Sequence, residues 1–145
     1  MKKPPTFEVQ SSEQFFDVIV KPQYEDFLKN NSSSRHALLT IITVYHLYEW
    51  VHGEKFTKES FKEKYPDHED LASEFDVARH VTNGTKHCLT RGISTSTQRG
   101  FSSAFNNSFA RPMSITYENG VSVSVDMFLR PLIDFWQQQK DKSIL

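Results

Sequence analysis

"SRHALLTIITVYHLYEWVHG", residues 34 to 53, is the stretch on which the fold turns. Leu38, Ile41, Ile42, Tyr45, Leu47, Tyr48 and Val51 include the i, i+3, i+4, i+7 recurrence that buries one face of a helix. The polar run Asn30-Asn31-Ser32-Ser33-Ser34 before it supplies loop and cap residues. Gly53 after it tolerates the left-handed conformation that ends helices. The spacing predicts a helix from about Ser34 to His52, around which the neighbouring segments arrange themselves.

Upstream, "SEQFFDVIVKPQYEDFLKN" (residues 12 to 30) reads as a helical pair or as one helix interrupted at Pro22, because proline clashes with the preceding turn. Its apolar set is Phe15, Phe16 and Ile19, then Tyr24, Phe27 and Leu28. Downstream, Thr57 to Tyr65 is a short charged helix with Thr57 and Ser60 as cap candidates and Pro66 as its stop. A further helix over about 69–83 would bury Leu71, Phe75, Ala78 and Val81 or Thr82.

From Thr90 the composition changes. Residues 92–108, rich in Ser, Thr, Gln and Asn, read as a long surface loop, within which Phe101, Phe105 and Phe109 recur every four residues. Met113 to Glu118 and Val121 to Val125 alternate on either side of Asn119-Gly120, a strong two-residue hairpin signal. Asp126 is the expected cap of a closing helix over about 126–140, burying Phe128, Leu129, Leu132, Ile133, Phe135 and Trp136, with Pro131 in its first turns. The expected fold is mostly α: a helical bundle in a single domain over residues 1–145, with one C-terminal β-hairpin (about 113–125) followed by a final helix.

Of the 145 residues, 37% are hydrophobic and 24% charged, as in a globular protein, although 12 Phe is unusually many. A formal net charge of -1 argues against a general polyanion-coating protein and leaves room for a local basic patch. Cys88 is the single cysteine, so no internal disulfide or cysteine-based zinc framework is available, and a cytoplasmic setting is expected. No signal-peptide pattern and no run of about 18 apolar residues appears, so no membrane association is expected.

The chemistry-bearing residues concentrate in "TNGTKHC", residues 82 to 88. If the helix winds on past Gly84, Arg79, Asn83 and His87 lie at i, i+4 and i+8 on one stripe with Lys86 beside them. Guanidinium and ammonium neutralise a phosphate, the amide orients an oxygen or a base edge, and an imidazole moves a proton near neutral pH. If the helix stops at Asn83-Gly84, Lys86 and His87 are solvated loop residues. Spacing alone favours that ending, since a glycine inside a helix costs about 1 kcal/mol relative to Ala.

A second group is His46, Glu49 and His52, three residues apart on roughly one helix face. A metal there would need ligands from a facing helix, such as His80 or His87. No Glu-x-x-His or Asp-rich partner segment is present, so neither metal nor cofactor is expected, and Glu49 more naturally anchors a cation or His87, or faces water. A third group interleaves Arg91, Arg99 and Arg111 with Phe101, Phe105 and Phe109, as in single-strand binders. Burial of those phenylalanines is the preferred reading, because three exposed rings invite aggregation. Cys88 reads as a buried structural thiol. A glycine-rich phosphate loop, a Gly-x-Ser-x-Gly elbow and a His-Glu-x-x-His pair are all missing.

"YHLYEW" (45–50) followed by "VARHVTNGTKH" (77–87), a Ser/Phe-rich loop, an Asn-Gly hairpin and "LIDFW" (132–136) resembles a group of small prokaryotic and phage proteins over most of residues 12–138. The Asn-x-x-x-His of Asn83 and His87 within a small helical bundle is similar, more distantly, to the HEPN superfamily. Many HEPN members are metal-independent endoribonucleases, with four to six residues between an Arg and a His. Here seven residues separate Arg79 from His87. The resemblance implies a site assembled between two protomers of a homodimer, in which a ribose 2′-hydroxyl attacks the phosphate. His87 would then assist proton transfer, and Arg79 or Lys86 would stabilise charge.

The leading expectation is a HEPN-like protein linked to phage conflict. It would contact RNA or a nucleotide through catalytic His87, Arg79 and Asn83 and ligand-binding Lys86, Glu49 and His46. The alternative is a non-catalytic protein–protein interaction module that uses the Ser/Thr/Phe-rich loop and the hairpin.

Overall fold

The structure, a computed structural model, describes residue 7 and residues 9–87, 94–97 and 113–145, with the backbone alone for His87 and residues 94–97. Its first helical run is continuous: α1 (Ser12–Phe15), a π-helical turn (Phe16–Val20) and α2 (Lys21–Lys29). Ser11 caps the run by accepting from the Gln14 N–H. Pro22 does not break it, contrary to both sequence readings, a helical pair and a helix interrupted at that residue. Proline has no N–H for the carbonyl four residues back, and the chain widens just before it, with the Lys21 N–H donating to the Phe16 carbonyl. Phe16 and Val20 are fully buried in this widened turn.

Helix α3 (Ser34–His52) has the predicted boundaries. Ser33 accepts from the His36 N–H, and Gly53, at φ 66°, donates its N–H to the Glu49 carbonyl. Ala37, Ile41, Val44, Tyr45, Leu47 and Tyr48 are all buried, so the helix is wrapped by its neighbours on more than one side. Thr57 caps α4 (Lys58–Lys64), and a 3-10 turn (Pro66–His68) leads to α5 (Leu71–His87). This last helix winds through Asn83-Gly84 and ends at His87, four residues beyond its expected end. The Thr85 hydroxyl, bonded to the Val81 carbonyl at 2.9 Å, bridges the glycine.

The hairpin is present as β2 (Met113–Thr116) and β3 (Ser122–Ser124), and it has company. Strand β1 (Ser94–Thr97), lying in the stretch expected to be loop, pairs antiparallel with β2, giving the order β1-β2-β3 with β2 in the centre. Ile115 pairs with Thr95 on one side and Val123 on the other. Helix α6 (Val125–Asp141) follows directly. Its cap is Ser124, which accepts from the Met127 N–H, and not the expected Asp126; Asp126 instead receives the Tyr24 hydroxyl at 2.7 Å and pairs with Arg130. Pro131 sits at the seventh position of α6, deeper than the first turns where it was expected. It is exposed, so water can replace the bond its ring removes.

The excess of phenylalanine is spent in the core. Among the described residues seven of the rings are buried, and Phe61, Phe75 and Phe135 meet with centroids 5.1 to 5.7 Å apart at the junction of α4, α5 and α6. Trp136 packs on Phe75 and donates its indole N–H to the Val44 carbonyl at 3.3 Å, tying α6 to α3. This junction sets α3 and α5 side by side. No helix among the described residues is long and apolar enough to cross a membrane.

Candidate functional site

Where α3 and α5 run together, their polar edges leave a cleft of about 610 Å³. One wall is a ridge of α3, Ile42, Tyr45, His46 and Glu49, spaced three or four residues apart and hence stacked on one side. The other is the ridge of α5 that includes Arg79, Thr82, Asn83 and Lys86. Lys55 and Phe56, in the connection between α3 and α4, also line the cleft. The structure therefore brings Arg79, Asn83, Lys86, His46 and Glu49 into one concavity. His87 closes α5, but its side chain lies outside the described residues, as do Cys88, Arg91, Arg99, Arg111, Phe101, Phe105 and Phe109.

The charge balance around this cleft is one-sided. Arg79, Lys55 and Lys86 line it against a single carboxylate, Glu49, among the described residues, although the chain as a whole carries -1. Asn83 and Lys86 are exposed and open to a ligand. Tyr45 is buried at its body, and its hydroxyl is pushed up from the usual phenol range by that burial and then by the neighbouring Glu49 carboxylate. Thr82 contributes a hydroxyl that is buried and has no hydrogen-bond partner among the described residues. Such an orphan is uncommon in a helix, where threonine often bonds the carbonyl four residues back.

Arg79 is held from its own helix. Its Nε and Nη2 donate to one oxygen of Asp76 at 3.1 and 3.0 Å, and Nη2 lies 3.3 Å from His80 Nε2. Asp76 was not singled out from the sequence, although its i, i+3 and i, i+4 spacing to Arg79 and His80 carries the signal. Lys55 was also missed, because it reaches the cleft by tertiary packing and not by helical spacing.

The His46, Glu49 and His52 stripe does not act as one unit. His52 turns to Tyr65, with Nε2 and the phenol oxygen 2.8 Å apart, while His46 and Glu49 line the cleft. Among the described residues, no group of three or more His, Cys, Asp or Glu side chains is gathered to hold a metal ion. Comparison with protein-family models, with curated proteins and with solved structures found no match for this chain.

Proposed function

We propose that the α3–α5 cleft binds the phosphate of an RNA strand or nucleotide. The observation that carries this reading is the convergence of Arg79, Lys55 and Lys86 on one cleft that holds a single opposing carboxylate. Cations at a partly enclosed surface are strong partners for phosphate oxygens. Asn83, between Arg79 and Lys86 on the same ridge, adds an amide able to orient an oxygen or a base edge. The likeness to HEPN enzymes extends the same reading to RNA cleavage, with the ribose 2′-hydroxyl as nucleophile and His87 moving its proton.

Two measurements test the proposal. Isothermal titration of a short oligouridine RNA should give a log K against log salt slope of about -2, as three cations contribute about 0.7 each on a single strand. Lys86→Ala should weaken binding about fivefold, within the range for one exposed charge contact. Incubation of the same RNA in EDTA should yield cleavage by the wild-type chain and none by His87→Ala. Absence of binding removes the proposal; binding with equal or no cleavage in both proteins removes the nuclease step alone.

A further inference from the structure

The bonding around Arg79 poses a question about the cleft just described. Arg79 lines both this cleft and a second cavity of about 360 Å³ that is also lined by Phe56, Thr57, Lys58, Glu59 and Asp76. At present it faces Asp76. That carboxylate, 19% exposed, has one oxygen committed to Arg79. The other lies 3.3 Å from His80 Nε2 and 3.9 Å from Lys58 Nζ. One acidic group is thus shared by three basic ones.

The state of His80 decides how the sharing falls out. Neutral, with its proton on Nδ1, the ring offers an Nε2 lone pair that accepts from Arg79 Nη2 at 3.3 Å. Arg79 then has two acceptors on its own helix, Asp76 and His80. Protonated, Nε2–H becomes a donor to the second Asp76 oxygen, and the bond from Arg79 to the ring is lost. Two cations then stand 3.3 Å apart with much of the Asp76 charge shared between them. Both changes loosen Arg79 from α5.

We propose that Asp76 is a built-in competitor for Arg79 and that protonation of His80 relieves it, so that anion binding at the α3–α5 cleft tightens as pH falls. The inference rests on the reading of that cleft as a phosphate site. Asp76 acts here through Arg79 as a positioning residue. Among the described residues, the groups facing the cluster are Lys58 and Glu59 from α4, Asp76 and Arg79 on α5 itself, and, across the cleft, Lys55, Tyr45 and Glu49. Of the described cleft residues, His46 is a second imidazole, and its contribution must be separated from that of His80.

The test uses an unlabelled 2′-O-methyl oligouridine, which keeps a constant phosphodiester charge between pH 6 and 8 and cannot be cut through its 2′-oxygen. Calorimetry on the full chain should show binding about fivefold tighter at pH 6 than at pH 8, within the range of one charge contact at a half-exposed site. In His80→Gln, whose amide still accepts from Arg79 but takes no proton, most of that gain should vanish while the pH 8 affinity is retained. In Asp76→Asn, which removes the competing charge, the pH 8 affinity should rise to about the wild-type pH 6 value. A purely structural role for Asp76 predicts the opposite sign, a loss of affinity, and that result overturns the proposal. So does a wild-type pH effect that His80→Gln leaves intact, which would assign it to another imidazole, His46 or His87. Binding by the wild-type chain that does not change with pH overturns this inference and leaves the phosphate site standing, whereas no binding at either pH by any variant removes both. Should Asp76→Asn fail to fold by circular dichroism, the His80→Gln comparison decides the matter.

Discussion

Replacing Glu74 with glutamine should stabilise the protein at neutral pH. Glu74 lies in the first turn of α5, and its Oε2 is buried with no hydrogen-bond partner among the described residues. Burial pushes its carboxyl up from the ordinary value of 4.5, the Asp70 charge adds to that, and its own backbone N–H opposes it. The Tyr117 hydroxyl, beyond the hairpin strand β2, is pushed up by burial and then by the same Glu74 carboxylate. An acid whose folded value is raised binds more protons folded than unfolded. The stability it brings is therefore present at low pH and is lost as pH rises from 4.5 upward. A buried unpaired acceptor costs about 1–3 kcal/mol, and partial solvent access places this one toward the lower end. Against that, a carboxylate in the first turn of a helix gains about 0.3–1 kcal/mol from the helix dipole, which glutamine forgoes. Glutamine keeps a polar group at the same place but carries no charge for burial to disfavour, and that gain outweighs the lost dipole interaction, so Glu74→Gln should gain about 1 kcal/mol at pH 7, or about 3 °C in Tm for a chain of this size. Urea denaturation of both proteins at pH 7 and pH 4.5 reads the effect directly. A variant no more stable than wild type at pH 7, or a gap that fails to shrink on acidification, refutes the reasoning.

His52 should give the opposite pH trend, since its imidazole is pushed down by burial and then by the Lys64 charge. The unfolded chain takes up the proton first, so stability present above about 6.5 is lost as pH falls, and His52→Gln should flatten the urea profile between pH 5 and 7. Phe75→Ala removes a fully buried ring in contact with Phe56, Phe61, Phe135 and Trp136 and should cost about 3–5 kcal/mol by urea denaturation, with the far-ultraviolet spectrum retained. Tyr24→Phe cuts the 2.7 Å bond between α2 and Asp126 and should cost about 1 kcal/mol, because Arg130 keeps Asp126 paired. Ser124→Ala takes away the cap of α6 and should lower Tm by about 3 °C, equivalent to about 1 kcal/mol.

The elements legible from the sequence are those whose signals are local. Ser33, Thr57 and Gly53 act on backbone groups within four residues of themselves, and Asn119-Gly120 marks the turn between two strands that follow each other in the chain, although the loop holds residues 118–120, closed by Tyr117 and Val121, and not the expected two. Strand β1 was not legible, because Ser94–Thr97 has no apolar alternation of its own and becomes a strand only by pairing with a partner about twenty residues downstream. The cap of α6 was misplaced by two residues because Ser124 and Asp126 are both competent, and Asp126 is drawn off by Tyr24 from α2. The same division runs through the candidate site. Arg79, Asn83 and Lys86 were found by helical spacing, whereas Lys55 and the alignment of His46 and Glu49 opposite them depend on how α3 packs against α5.

That packing also explains why α5 does not stop where Asn83-Gly84 invites it to. A glycine there disfavours the helix by about 1 kcal/mol, and an unpacked chain would take the invitation. Val81, however, is buried at 4% exposure and Gly84 is itself buried, so unwinding the turn would return apolar surface to water. A fully buried valine alone is worth about 1.5–3 kcal/mol, which exceeds the glycine penalty. The margin is one turn deep, because Asn83, Thr85 and Lys86 are exposed and add little burial of their own. Arg79, a turn further back and braced by Asp76, does not share this weakness. The two main cations of the α5 ridge are thus held by different means. Arg79 is held on α5 by the ion pair with Asp76 that a bound anion must compete with, while Lys86 is positioned by a helical turn whose persistence depends on the core beneath it.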